Sequence, residues 1–182
     1  MQTSRVHEAS RAIGGELKGL NIPFAIAGAL ATNAYGYRRM TDVVEILLSI
    51  PGLAEFKKHC LGRGWVEIFP GFRGLRDVTY NVKIDVLLTG GFPGDGKPKP
   101  ISFPEPTRSS IGDPLPYLSL KELLELKMAS GMTAAHRMQD LADVMNLIKV
   151  NQLSEDYVEQ LNPYVAQKYR ELWELAQINE DY

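Results

Sequence analysis

Two apolar runs constrain this chain more than any other feature: Val43-Val44-Glu45-Ile46-Leu47-Leu48 and Val82-Lys83-Ile84-Asp85-Val86-Leu87-Leu88. Both read as strands, rich in β-branched residues and bounded by turn formers. Each carries one carboxylate, Glu45 or Asp85, among neighbours that belong in a core. An ion buried alone there is costly and has its pKa raised, so a carboxylate so placed calls for a cation, a base or a hydrogen-bond cluster. A divalent metal answers for both at once, because Mg²⁺ is commonly held by one or two carboxylates together with substrate phosphates. The plainer alternative is that the strand register leaves both side chains at a solvated edge.

The rest of the chain supplies a frame for these strands. Val6, Ala9, Ile13, Leu17 and Leu20 recur at helical spacing, which predicts an amphipathic helix over Thr3 to Leu20. A short buried strand, IPFAIAG, follows, and Gly28-Ala29 ends it. ALATNAYG then reads as about two helical turns closed by Gly36 in the left-handed conformation. PGLAEFKKHCLGRG begins with proline and closes with glycine, the usual asymmetry of a helix, with Cys60 as a core residue at its end. WVEIF, LRDVTY and VKIDVLL follow as strands. The order α-β-α-β-α-β-β-β predicts a mixed sheet flanked by helices, an α/β (α+β) lobe over residues 1–106. TGGFPGDGKPKPISFPEP, Thr89 to Pro106, is too dense in glycine and proline for regular structure and reads as a linker or mobile lid carrying its lysines to solvent. Residues 107–182 then form a helical C-terminal lobe. Its first helix starts with a capping box at Ser119 and Glu122, AAHRMQDLADVMNLIKV continues as a helix, and two more run from Ser154 to Leu161 and from Pro163 to Ile178.

Composition narrows the function classes. A formal net charge of −2 carries no electrostatic footprint for non-specific nucleic-acid binding. The single Cys60 excludes an internal disulfide and any multi-cysteine metal site, and fits a reducing, cytoplasmic location. No run is long enough to span a bilayer, so no membrane partner is expected. The three histidines have no ligand spacing. There is no Gly-x-Ser-x-Gly elbow, and GGFPGDGKPKP lacks the Gly-Lys-Ser/Thr ending of a phosphate-binding loop.

Gly28-Ala29 leading into a helix N-terminus would favour a phosphate. Together with GYRRMTDVVE (Gly36, Arg39, Thr41, Glu45), Asp85 on a later strand, and LSLKELLELKMASGMTAAHRMQDLADVMNLI with Lys127 and Asp140, this ordered set resembles the nucleotidyltransferases related to AbiEii-type toxins and the minimal nucleotidyltransferases. The likeness runs from about Phe24 to Ile148. It implies Mg²⁺ (or Mn²⁺) held by Glu45 and Asp85, and transfer of a nucleoside monophosphate from an NTP to an RNA end, a protein hydroxyl or a small molecule. It also implies a possible place as the toxin of a toxin–antitoxin pair, with an antitoxin protein as partner. By the same resemblance Asp85, Glu45 and Lys127 are the catalytic candidates, Gly28, Ala29, Arg39, Thr41, Lys127 and Asp140 the nucleotide-binding ones, and Asp42 a third acid beside the metal pair.

The chain departs from the family pattern at two points: Val43 stands where the family has its first metal-binding Asp, and Ala29 where it has a second Gly or Ser. Asp42 has the wrong parity to replace an acid at 43 in a regular strand. The second reading is therefore a catalytically degenerate member that binds a nucleotide or a protein partner. Residue by residue, plainer roles also fit. Lys127, flanked by Glu122 and Glu125, suits a solvated helix face, Arg38 and Arg39 suit surface ion pairs, and Asp77 and Asp95 suit solvated positions.

Overall fold

The computed structural model describes residues 4–106 and 114–178. Helix α1 (Arg5–Gly19) starts at Ser4, whose hydroxyl caps the His7 N–H; Thr3, the expected first residue, lies outside the described residues. Then come β1 (Phe24–Ile26), α2 (Gly28–Ala34), β2 (Val43–Leu48), α3 (Ile50–Cys60), β3 (Trp65–Glu67), β4 (Leu75–Asp77) and β5 (Val82–Leu88). The helical part holds α4 (Leu120–Thr133), α5 (Met138–Val150) and α6 (Pro163–Gln177). Two segments expected as α-helix are tighter 3-10 turns, Ala135–Arg137 ahead of α5 and Glu155–Gln160 ahead of α6.

The five strands form one mixed sheet in the order β1-β2-β5-β4-β3. Only β2 and β5 run parallel, and they sit side by side near its centre. A parallel pair needs a long crossover, which α3 and the β3–β4 hairpin supply. Val44, Ile46, Ile84 and Val86 are buried on one face of this pair, the face that α1 covers. The opposite face carries Val43, Glu45, Lys83 and Asp85. Residues leading into α4 run along the free edge of β1: Ile26 N–H donates to the Pro116 carbonyl (2.7 Å) and Leu118 N–H to the Ile26 carbonyl (3.0 Å). The edge is thereby paired rather than exposed.

Helix α4 is buried without interruption from Leu123 to Gly131, the pattern of a helix packed on all sides. Its capping box forms as expected: Glu122 N–H donates to Ser119 Oγ, and Glu122 Oε2 accepts from the Ser119 N–H. α2, α5 and α6 pack around it, and one continuous core joins Ile13 and Leu17 of α1, Phe56 of α3, Ile46 and Ile84 of the sheet, Leu124 and Met128 of α4, Leu147 of α5 and Tyr169 of α6.

The Gly/Pro segment after β5 has no regular structure, as expected, and Lys97 is exposed, but the segment is a pinned strap in which Lys99 is held. Gly90 N–H donates to Phe103 O and Phe103 N–H to Gly91 O (both 2.8 Å). Lys99, its side chain only 5 % exposed, donates to the Pro93 and Lys97 carbonyls and to Asp95 Oδ1. At Gly94 the backbone has φ +70°, and a β-carbon would stand 2.2 Å from Thr133 Oγ1 and 2.9 Å from the Ser130 carbonyl. Glycine is what lets the strap lie against α4. Asp77 also departs from expectation: it is buried, its Oδ1 accepting from the Thr79 and Tyr80 N–H groups in a turn.

Candidate functional site

Register places the two strand carboxylates together. Glu45 pairs with Asp85 across the parallel β2–β5 ladder, so both project from the same face, and Val43 pairs with Lys83 one step back. The four side chains form a block of two carboxylates, one ammonium and one isopropyl group. Lys83 Nζ lies 2.8 Å from Asp85 Oδ1, and both side chains are about two-fifths exposed.

Glu45 stands differently. It lines the interior of the cleft, and a β-carbon on Gly28 would fall 1.6 Å from Glu45 Oε2. The turn that was expected to present an open phosphate cradle is thus met by this carboxylate. Among the described residues no hydrogen bond or ion pair is recorded for the Glu45 side chain. Burial raises its pKa above the usual carboxylate value; Lys127 opposes the shift, Asp140 and Asp85 add to it, and Arg137 opposes it. Because the folded-state pKa is raised, the contribution to stability is full at pH below the unfolded value and is lost as pH rises through the folded value. Glu45→Gln therefore raises Tm at pH 8, by about 2–4 °C per kcal/mol recovered, and the gain vanishes near pH 4. Thermal denaturation of both proteins across pH checks this; an unchanged or lower Tm at pH 8 would refute it.

Across the cleft, α4 and α5 hold a buried ionic network. Lys127, its side chain 7 % exposed, donates to Asp143 Oδ2 (2.7 Å) and Asp140 Oδ1 (3.0 Å). Burial works against the Lys127 charge, but the two carboxylates outweigh it and hold its pKa above the ordinary lysine value. Arg39 Nη1 donates to the same Asp143 Oδ2 (2.7 Å), Gln139 to Asp143 Oδ1 (3.1 Å), and Ser130 Oγ to Asp140 Oδ2 (2.7 Å). Lys127 is no solvated face residue, and Arg39 no surface pair. Arg39 is aimed by its own backbone, whose N–H and carbonyl both bond the Asn33 side chain at the end of α2.

Between these walls lies a cavity of about 410 Å³. Gly28, Glu45, Lys127 and Asp140 line it, with apolar walls from Leu87 and Leu88 of β5, Phe92 and Phe103 of the strap, and Leu123 and Leu126 of α4. A contiguous cavity of about 390 Å³ shares Glu45, Lys127, Arg137 and Asp140 and adds Ala29, Arg39 and Thr41. Seven of the nine candidate residues thus meet in one cleft. Asp85 and Asp42 line neither cavity: Asp85 sits beside it, tied to Lys83, and Asp42 is exposed just ahead of β2. Thr41 serves the strand start, its Oγ1 donating to Val43 O and accepting from Val43 N–H.

The residues do not fit a resident divalent ion. The position that would supply a third carboxylate is Val43, Asp85 already holds an ammonium, and Asp42 lies apart. Among the described residues no group of three His, Cys, Asp or Glu side chains could hold a metal ion. No helix among them is long and apolar enough to cross a membrane.

Three functional candidates escaped the sequence reading. Asp143 had a signal, since it lies three residues after Asp140 on the same helical face. Arg73, in the β3–β4 loop, and Arg137, in the turn before α5, had none; both line the cleft. Compared with known proteins, the chain matches no family model and no curated protein.

Proposed function

We propose that this chain binds a nucleotide in the cleft between the β2–β5 face and helices α4 and α5, on a nucleotidyltransferase-type scaffold, without a resident divalent ion. The observation that carries the reading is the division of the cleft lining. Leu87, Leu88, Phe92, Phe103, Leu123 and Leu126 supply apolar surface for a planar base, while Arg137, Lys127 and Asp140 supply a polar, charged side. A nucleotide has the same division. The lone thiol of Cys60 agrees with a cytoplasmic setting.

Thermal-shift and calorimetric titration with each of the four NTPs, in EDTA and with Mg²⁺ or Mn²⁺, tests this. One NTP stabilises the protein equally in EDTA, by about 5–10 °C at a hundredfold excess over Kd. Binding that strictly requires metal, or no binding by any NTP, would overturn it.

A second reading, transfer of a nucleoside monophosphate to an RNA end, a protein hydroxyl or a small molecule, is favoured by one observation: Glu45 and Asp85 are register partners on one face. An antitoxin partner belongs to this reading. α-Labelled NTPs incubated with the wild type and with Val43→Asp discriminate. Label transferred by the wild type establishes the enzyme; transfer gained only by Val43→Asp marks a scaffold that kept its geometry and lost its activity; no transfer by either leaves the binding reading alone.

A further inference from the structure

The charges lining the cleft do not balance. Lys127 and Arg39 are matched by Asp140 and Asp143, two cations against two anions joined by direct hydrogen bonds. Asp95 is matched by Lys99 within the strap. Outside the cleft, Asp85 is matched by Lys83. Arg73, Arg137 and Glu45 remain. That leaves two cations against one anion. The two arginines stay charged at any accessible pH. Among the described residues neither guanidinium is recorded in a hydrogen bond or an ion pair, so the donor forks of both are open.

The two arginines also come from different walls. Arg73 belongs to the β3–β4 loop at the sheet side, and Arg137 to the 3-10 turn that joins α4 to α5, yet both line the same 410 Å³ cavity. Both side chains are exposed, and guanidinium forks match phosphate oxygens two at a time. A divalent ion bound to nucleotide phosphates chiefly neutralises their charge. Here two fixed cations are available for that task.

We propose that Arg73 and Arg137 form a two-walled clamp for a polyphosphate anion, taking the di- or triphosphate of the nucleotide without a divalent ion. The identification of the anion as nucleotide phosphate rests on the reading above; the clamp itself rests on the unmatched arginines.

The test uses the whole chain in EDTA, with pyrophosphate, an NTP and the corresponding uncharged nucleoside as titrants, read by calorimetry and thermal shift. Arg73→Gln, Arg137→Gln and the double variant remove the charge, keep a polar side chain at exposed positions and break no ion pair, so their unliganded Tm stays at the wild-type value. Pyrophosphate and NTP bind the wild type; each single substitution weakens both about 10-fold or more, and the double about 100-fold, as expected for losing charged hydrogen bonds. The nucleoside binds weakly and equally to all four proteins. Two outcomes would overturn the clamp: pyrophosphate that binds only with Mg²⁺, or variants that bind pyrophosphate and NTP as the wild type does. NTP binding that persists undiminished in the double variant removes the clamp and leaves the nucleotide reading standing. Pyrophosphate bound through both arginines, with no NTP bound, removes the nucleotide reading and leaves the clamp.

Discussion

Replacing Lys127 by Met lowers stability by about 3–5 kcal/mol, the typical loss when one partner of a buried ion pair is removed, and Tm by roughly 10 °C for a chain of this length. The Lys127 ammonium is the hub of the ionic network: it donates to both Asp140 and Asp143, and the Asp143 side chain is fully buried. Without it, Asp143 keeps only Arg39 and Gln139, and Asp140 keeps Ser130. Most of the loss is the penalty for a carboxylate left short of positive charge inside the protein, rather than the net worth of the pair. The double variant Lys127→Met/Asp143→Leu therefore falls by clearly less than the sum of the two single variants, because it removes the stranded charge with its partner. Urea denaturation of the four proteins reads the cycle. Additive losses would mean that the network contributes packing and not charge compensation.

Gly28→Ala produces the second large effect. Gly28 has φ +59°, where a side chain costs about 1 kcal/mol, and a β-carbon there would meet Glu45 Oε2 at 1.6 Å and Cδ at 2.3 Å. The Glu45 carboxylate is the flexible end of that contact, so it is the part that moves, leaving its place against the turn and entering the cavity. The expected loss is about 2–3 kcal/mol in all, the backbone term plus the overpacking term. In Gly28→Ala/Glu45→Ala the carboxylate contact is gone, and the backbone term persists with a 3.1 Å approach to the β-carbon at position 45. A double variant as unstable as Gly28→Ala would show that the strain lies in the chain and not in the Glu45 contact. The same displacement weakens NTP binding, since the carboxylate would occupy space the ligand needs.

Much of this site was legible because its signals are local. The residue types of Val43–Leu48 and Val82–Leu88 mark two buried strands, and a carboxylate inside each marks an exception worth explaining. The capping box at Ser119 and Glu122 locates the start of α4 within one residue. Gly36, with φ +94°, lies just past the end of α2 as its position after a short helical run implies. The Lys83–Asp85 pair follows from the same alternation, since residues two apart on a strand share a face. Helix boundaries near 135 and 155 were less legible, because a 3-10 turn and an α-helical turn draw on nearly the same residues.

The partners of the charges were another matter. Arg39 and Asp143 are separated by 104 positions, and Lys127 and Asp143 by 16. No periodicity links such residues. Lys127 looks the same in the sequence whether it faces water or two carboxylates, and only the packing of α4 against α5 decides that it is neutralised. The strap after β5 makes the same point. Its glycines and prolines forbid regular structure, which the sequence states plainly, but Lys99 and Gly94 hold it to the protein through contacts formed only once α4 is in place. Side-chain type and spacing, set by local backbone geometry, determined the strands, most of the helices and the two exceptional carboxylates. Which charges are cancelled, which arginines are left facing the cavity, and whether the Glu45 corner can accept a metal were decided by the parallel register of β2 with β5 and by the packing of α4 on α5, because charge compensation depends on distances that only the folded chain defines.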